Sequence, residues 1–288
     1  MFFHHKGLQF EAKPDAPDPL FARKLQEVLG GSWGEITVSM QYLFPGWNWM
    51  PGKYKDMLMD IGTEELAHVE MLSTMIGKLL ENAPLKVVED AVSSEPALAA
   101  VMGGMDVQHA IVAGGGAAPS DSNGYPWNGR YIVASGNLLA DFRANVTAES
   151  QGRLQVTRLF GMTDDAGVKD LLRFLLARDT RHQNQWLAAI EELEADGLET
   201  TPVPSDFPQT EEHQEFSYQY WPLSTGGGDD STRGRWTSGP TPDGRGEFTY
   251  VEDPQPTTPE PTPPKATPEL FVTGRGGMLQ KGIDKITD

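Results

Sequence analysis

Four helix-like stretches of the sequence each place an ionisable side chain about midway along the row of residues that should face a core. The six residues are Glu35 in the first stretch, Glu65 and His68 in the second, Glu149 in the third, and Asp179 and His182 in the fourth. A buried carboxylate without a partner costs several kcal/mol, so a cluster of them needs cations at its centre. Any single one could face solvent instead, but the coincidence of four interruptions at one height favours a metal site.

The donor types indicate which metals would bind. Glu65 and His68 are three residues apart, so they lie one turn apart on one helix face, which is the Glu-x-x-His spacing of dinuclear sites in helical bundles. Glu35 and Glu149 add single carboxylates, and His182 adds a second imidazole. Oxygen donors with one imidazole per metal suit manganese or iron better than zinc or copper. The sequence therefore predicts a site for two manganese or iron ions.

The elements that must position these side chains follow from the spacing of apolar residues. Helical periodicity covers four windows, which are 18–43, 52–82, 134–161 and 164–196. The joins at 44–51, which contains Pro45 and Pro51, and at 162–163 are short, so they predict antiparallel neighbours. The segment 84–133 is long enough to cross from one helix pair to the other. We therefore predict an all-α core, a ferritin-like four-helix bundle with one long crossover.

Composition excludes several kinds of partner. The 41 acidic residues exceed the 23 lysines and arginines and give a net charge of −18, which repels nucleic-acid phosphate and anionic lipid. The chain has no cysteine, which excludes disulfides and a thiol nucleophile. No apolar run approaches the roughly 20 residues of a bilayer span, and no secretory signal follows Met1. We expect no nucleic-acid or membrane partner and a cytoplasmic location.

The composition changes near residue 200. Of the 22 prolines, 13 lie in the last 88 residues, and Pro-rich segments do not hold helices. We predict that residues 1–200 form the bundle and that 201–288 form an extended Pro-rich tail. Nine aromatic residues between positions 207 and 271 are too many for a typical disordered segment. The tail is expected to wrap the body or a neighbouring subunit, although 254–268 alone could be a disordered linker.

Four segments around the ionisable residues form a specific pattern. They are Gly34-Glu35-Ile36-Thr37-Val38, Thr63-Glu64-Glu65-Leu66-Ala67-His68, Ala148-Glu149-Ser150-Gln151-Gly152-Arg153 and Ala177-Arg178-Asp179-Thr180-Arg181-His182-Gln183. Together with the amino-terminal Met1-Phe2-Phe3-His4-His5-Lys6, they resemble the manganese catalases, non-haem ferritin-like enzymes that disproportionate hydrogen peroxide. The resemblance extends over nearly the whole chain.

The resemblance implies a site and an assembly. The implied ligands of two manganese ions are Glu35, Glu65, His68, Glu149 and His182. Glu65, Glu149 or both would bridge the metals. The resemblance implies a closed homohexamer in which the carboxy-terminal segment of each chain wraps around an adjacent subunit.

Three further residues are candidates for roles behind the metal ligands. Asp179 stands where many members carry a glutamate that relays protons, so we expect Asp179 to act as the acid and base. Ala148 replaces an arginine that screens the site in some members, and Arg153 is a candidate substitute unless it only pairs with a surface acid. Tyr42 lies two turns from Glu35 and is expected to hydrogen-bond a ligand carboxylate. The alternative is a core tyrosine bonded to a carbonyl.

A second cation site is suggested by Asp56 and Asp60, which repel one another at this spacing unless a cation bridges them. Lys53 and Lys55 offer the alternative of an ordinary surface network. Some manganese catalases bind calcium at this place with help from a carboxy-terminal segment that resembles Pro222-Leu223-Ser224-Thr225-Gly226. The resemblance therefore adds Pro222, Ser224 and Gly226 as candidate calcium ligands.

Two other functions compete with the catalase. A di-iron peroxidase similar to rubrerythrin usually carries a full pair of Glu-x-x-His motifs, and Asp179 in the second motif weakens that match. A non-catalytic ferritin-like storage or coat protein would bind metal without turnover. A storage protein is expected to be shorter and to lack the Pro-rich tail.

Overall fold

A computed structural model describes residues 4–81, 108–198, 209–223, 234–257 and 259–260. Within these residues the bundle consists of α1 (Pro19–Gly30), α2 (Glu35–Asn48), α3 (Lys53–Leu80), α4 (Leu138–Phe160) and α5 (Ala166–Ala195). The described part of the crossover holds a π-helical turn, Gln108–Val112, and a 3-10 turn, Gly129–Tyr131. No described helix is long and apolar enough to cross a membrane. The predicted all-α bundle with one long crossover is confirmed.

The prediction of a single first helix is wrong. The chain leaves the helix after α1 because Gly31 is extended, with φ −73° and ψ 177°, and α2 starts only after its cap residue Gly34. Counting heptads from Phe21 to Glu35 does not detect this interruption. The first join also begins later than predicted, because α2 continues through Pro45. A helix can accept that proline at the loss of one backbone hydrogen bond.

The core consists of two apolar clusters that lie on either side of the polar centre. On α3, the first cluster takes buried residues from 71–80 and the second from 54–61. On α5, they take buried residues from 168–175 and 186–193, respectively. The two middle stretches of these helices, which carry Glu65 and Asp179, are therefore enclosed by hydrocarbon at both ends.

Polar caps fix where three of the helices begin. The side chains of Asp18, Asn137 and Asp165 accept hydrogen bonds from backbone N–H groups in the first turns of α1, α4 and α5. Each bond satisfies a donor that the start of a helix leaves unpaired. Asp165 lies at the start of the fourth predicted window, 164–196, and α5 begins at the next residue.

The chain divides into two compact units, Met1–Phe207 and Pro208–Asp288, and the second contains the carboxy-terminal part. Its described residues include a short helix, α6 (Gln214–Ser217), and the strands β1 (Gln219–Tyr220), β2 (Gly239–Pro240) and β3 (Glu247–Tyr250). β3 lies in the middle, parallel to β1 and antiparallel to β2. The expected extended tail thus contains a small sheet. Its wrapping of the body or a neighbour stays a prediction.

The described end of the crossover is attached to α1 by a buried glutamine. Gln26 donates from Nε2 to the carbonyls of Ala118 and Ser120, at 2.7 and 2.8 Å, and accepts from the Ala118 N–H at 3.1 Å. Gly30, at the end of the same helix, passes so close to this segment that a Cβ atom would lie 2.4 Å from the Ser120 carbonyl oxygen. The crossover therefore requires glycine at position 30.

We expect Gly30→Ala to lower the free energy of unfolding by about 1–3 kcal/mol, because the added methyl group overlaps backbone that the Gln26 bonds hold in place. The matched control is Gly77→Ala on α3, where an added Cβ meets no atom within 4 Å among the described residues. That change should stabilise the protein by about 0.5–1 kcal/mol, since alanine favours the helix. Urea unfolding of both variants provides the measurement. Equal effects would contradict the close packing at Gly30.

Candidate metal centre

The middle of the bundle brings together all six ionisable residues that the sequence singles out. Each is buried, with at most 6% of its surface exposed. They form two groups in which one ligand atom from each residue lies within 4.8 Å of the others. The groups are Glu35, His68 and Asp179, and Glu65, Glu149 and His182. Four helices therefore converge on two adjacent sets of nitrogen and oxygen donors.

Glu65 connects the two groups. Its Oε2 lies 2.6 Å from Nδ1 of His68, and its Oε1 lies 2.7 Å from Nδ1 of His182. Glu35 approaches the same nitrogen of His68 at 3.6 Å, and Glu149 approaches that of His182 at 3.8 Å. We call the space around His68 and Glu35 the His68 position, and the space around His182 and Glu149 the His182 position. One carboxylate oxygen of Glu65 faces each position.

The unpaired atoms of the centre fit a pair of cations. Among the described residues, both carboxylate oxygens of Glu65, both ring nitrogens of His68 and Nδ1 of His182 are buried, and the short contacts among them do not have hydrogen-bond geometry. Buried polar atoms in folded proteins nearly always have a partner. These atoms converge from facing helices, and imidazole with carboxylate is a donor set that suits manganese or iron. The residues present therefore fit two such metal ions.

Burial controls the protonation of the metal-free centre. It raises the pKa of Glu35 to about 8, with a further contribution from the Glu65 carboxylate. It likewise raises the pKa values of Glu149 and Asp179 well above their usual range, and neighbouring carboxylates add to the effect. Burial alone would lower the pKa of His182, but the contact with Glu65 raises it to about 10. Metal ions must therefore displace protons when they bind.

Tyr42 and Trp186 hold the carboxylate of Glu149. The Tyr42 hydroxyl donates to Oε1 of Glu149 at 2.6 Å, and the Trp186 indole N–H donates to the same oxygen at 3.4 Å. Both rings are fully buried and pack 4.8 Å apart. The hydroxyl thus contacts a carboxylate of the centre, as the position of Tyr42 led us to expect, and the carboxylate comes from α4.

Arg153 does not contact the six residues of the centre through any described bond. Its Nη1 donates to Oε1 of Gln183 at 3.0 Å, and Nε2 of Gln183 donates to the Ser150 hydroxyl at 2.6 Å. No acid lies within ion-pair distance of Arg153 in the described part of the chain. The structure thus supports neither the expected screening of Glu149 nor a simple surface ion pair.

The candidate calcium residues are only partly within the described chain. Asp56 and Asp60 are exposed on α3, and Pro222 is half-buried in the carboxy-terminal unit. Ser224 and Gly226 lie outside the described residues. The lysines near the two aspartates have other partners: Lys53 pairs with Glu192 and Asp196, and Lys55 donates to the Trp49 carbonyl.

Glu64 is a contact of the centre that the sequence analysis misses. Its Oε2 lies 3.1 Å from Nε2 of His182, and its carboxylate also accepts bonds from Arg178 and Gln9. A heptad row assigns one face to each helix, and Glu64 lies about 100° around α3 from Glu65. The sequence does contain a hint of this contact. Glu64 and Arg178 carry opposite charges, and each lies four residues before a histidine of the centre, His68 and His182, respectively.

We expect the stability of the metal-free protein to fall as the pH rises from about 5 to about 9. Between the ordinary pKa of Glu35, 4.5, and its raised value of about 8, the folded chain keeps a proton that the unfolded chain releases, so unfolding becomes easier. His182 acts in the same direction between 6.5 and about 10. Thermal unfolding of chelator-treated protein across this range measures the effect.

Glu35→Gln is the control for this pH dependence, because its neutral amide cannot lose a proton. The metal-free variant should have a flatter profile than the wild type and a higher unfolding midpoint at about pH 9. An identical profile in the two proteins would contradict the raised pKa of Glu35.

Comparisons with known proteins identify the family. Residues 1–276 match the family described as manganese containing catalase. An uncharacterized protein of Bacillus subtilis, YjqC, is 62% identical over 255 residues, which cover 88% of this chain and 91% of that protein. A manganese catalase of Bacillus subtilis is 61% identical over 254 residues, with the same two coverages. The crystal structure of KatB, a manganese catalase from Anabaena PCC7120, covers 88% of this chain and 100% of its own, with 27% identity and a TM-score of 0.66. The chain belongs to the manganese-containing catalase family.

Proposed function

We propose that this protein disproportionates hydrogen peroxide into oxygen and water at two manganese ions in the centre of the bundle. The observation that carries the proposal is the contact of Glu65 with both histidines, each through a different oxygen. A carboxylate in this position can hold two metals close enough to share one peroxide. A manganese pair supplies two one-electron changes, so peroxide can gain or lose two electrons without release of a radical.

The ligand assignment follows from the two groups of donors. Glu35 and His68 would hold one ion, and Glu149 and His182 the other. The sequence left open whether Glu65, Glu149 or both bridge the ions. The distances favour Glu65, because Glu149 approaches only His182. Each ion then receives one imidazole and oxygen donors, as the sequence predicts.

Asp179 is the proposed acid and base. Cleavage of the O–O bond consumes protons and oxidation of peroxide releases them, so the site needs a group that holds and returns protons. The Asp179 carboxyl lies beside Glu35 and His68, and burial raises its pKa so that it retains a proton. Tyr42 would keep Glu149 in the ligand orientation through its 2.6 Å hydrogen bond.

The two competing kinds of protein would bind a different metal or would lack catalytic turnover. The donor set alone would accept iron as readily as manganese, as in a di-iron rubrerythrin-like peroxidase. A ferritin-like storage or coat protein would contain the same site without catalysis. Manganese catalysis is favoured by the family and by a catalase relative at 61% identity.

We also propose three finer properties, of which the hexamer and the calcium site rest on the resemblance. The protein would be a homohexamer with wrapped carboxy-terminal segments, and it would act in the cytoplasm. Calcium would bind at Asp56 and Asp60, together with Pro222, Ser224 and Gly226. The exposure of Asp56 and Asp60 on α3 is compatible with that role.

Purified protein from cells supplied with manganese and iron should contain two manganese ions per chain and evolve one oxygen molecule for every two peroxide molecules. Azide at concentrations that block haem iron should leave this activity intact, because the proposed centre uses manganese held by carboxylates and imidazoles. Elemental analysis and an oxygen electrode provide the measurements. Bound iron, or bound manganese without oxygen evolution, would refute the proposed catalase function.

Asp179→Asn should keep both manganese ions and lower kcat by about 10²–10⁴-fold, the usual contribution of a general acid or base. Glu65→Gln should instead lose metal, because the amide replaces the charged oxygens that face both positions. Asp170→Asn, an exposed aspartate on the same helix as Asp179, is the matched control and should change neither quantity. If Asp179→Asn and Glu65→Gln lost metal equally, Asp179 would be a ligand.

A further inference from the structure

The two histidines of the centre differ at the ring nitrogen that points away from Glu65. Nε2 of His182 lies 3.1 Å from Oε2 of Glu64, within hydrogen-bond distance. Nε2 of His68 is 3.9 Å from the other oxygen of Glu64, and it is buried with no hydrogen-bond partner among the described residues. His182 is therefore held by a hydrogen bond at Nε2, whereas neither ring nitrogen of His68 has one among the described residues.

Glu64 is itself fixed by groups from two other parts of the chain. Arg178 on α5 donates from Nε to Oε1 at 2.5 Å and from Nη2 to Oε2 at 3.0 Å, which is a bidentate pair. Gln9, in the segment before α1, donates to Oε1 at 2.8 Å. The carboxylate is therefore oriented before any metal binds, and only 18% of its side chain is exposed.

An oriented carboxylate determines which nitrogen of His182 carries the proton. Because the ionised Glu64 can only accept, His182 must donate from Nε2–H. The lone pair of the neutral ring then lies on Nδ1, which faces Glu65 and the metal position. Carboxylates that hold a metal-binding histidine in this way also make the ring a stronger ligand. No described group does the same for His68.

We propose that Glu64 is a positioning residue that fixes the tautomer of His182 and thereby strengthens manganese binding at the His182 position alone. This inference rests on the proposed dimanganese function, because it assigns a role relative to those ions. Arg178 and Gln9 hold Glu64 in place, so the amino-terminal segment and α5 both contribute to metal affinity. The two metal positions are therefore unequal before either is filled.

Manganese titration of the chelator-treated, full-length protein against a competing fluorescent chelator tests the inference. The wild type should bind two ions, and Glu64→Ala should weaken one of them by about 10–100-fold and leave the other within about twofold. Glu64→Gln keeps an acceptor but no charge, so its loss should be smaller. At a free manganese concentration that just fills both positions of the wild type, electron paramagnetic resonance should detect a coupled pair in the wild type and isolated Mn(II) in Glu64→Ala.

Glu70→Ala is the matched control, since Glu70 lies on the same helix and pairs with His4 at 3.0 Å. It should bind both ions as the wild type does. A second comparison identifies the weakened position. Adding Glu149→Gln to Glu64→Ala should leave one ion bound, whereas adding Glu35→Gln should remove both.

The outcomes separate the two proposals. Wild-type protein that binds two manganese ions, with unchanged binding in Glu64→Ala, would overturn the role of Glu64 and leave the catalase intact. Equal weakening of both ions would also overturn it, since that result indicates a general loss of structure. Wild-type protein that binds no manganese pair would overturn the proposed function and this inference with it.

Discussion

The structure depends on one carboxylate, Glu65, buried between His68 and His182. Its two oxygens lie 2.6 and 2.7 Å from the two imidazoles, and none of these atoms has access to water. Three more carboxylates enclose the same space, so a metal-free centre must keep protons on groups that would ionise in solution. Two divalent ions would replace these protons and neutralise the acids, so the electrostatic repulsion within the empty site would favour metal binding.

The helices enclose this centre with apolar side chains, and the positive end of the α2 dipole lies at one of its carboxylates. Apolar clusters lie beyond it in both directions along α3 and α5 and exclude water, which strengthens every charge interaction within. The break before α2 makes Glu35 the first residue of a helix, where the positive end of the dipole favours a carboxylate. A continuous first helix would place Glu35 in mid-helix, without that benefit. The glycines of the break therefore contribute to the metal centre as well as to the fold.

Much of the fold and most of the site follow from spacing within single helices. Glu65 and His68 were predictable because side chains three residues apart in a continuous helix lie on the same face. The break between α1 and α2 was missed, since glycines that end a helix leave the heptad count unchanged. Glu64 was missed because Arg178 and Gln9 reach it from segments more than 50 residues away in sequence. The bridging role of Glu65 could not be chosen over Glu149, because it depends on how far side chains reach between helices.

The contacts around the centre are distributed unequally between its two metal positions. At the His182 position, Tyr42 and Trp186 hold Glu149, and Glu64 holds the imidazole, so both side chains are fixed by hydrogen bonds. At the His68 position, the neighbouring acid is Asp179, whose burial favours the protonated form. Fixed ligands suit an ion that must stay in place, and a proton-holding neighbour suits the ion at which peroxide oxygen gains or loses protons. Under the proposed function, this asymmetry would place proton exchange with Asp179 on the His68 side, while the His182 side would hold its ion more rigidly.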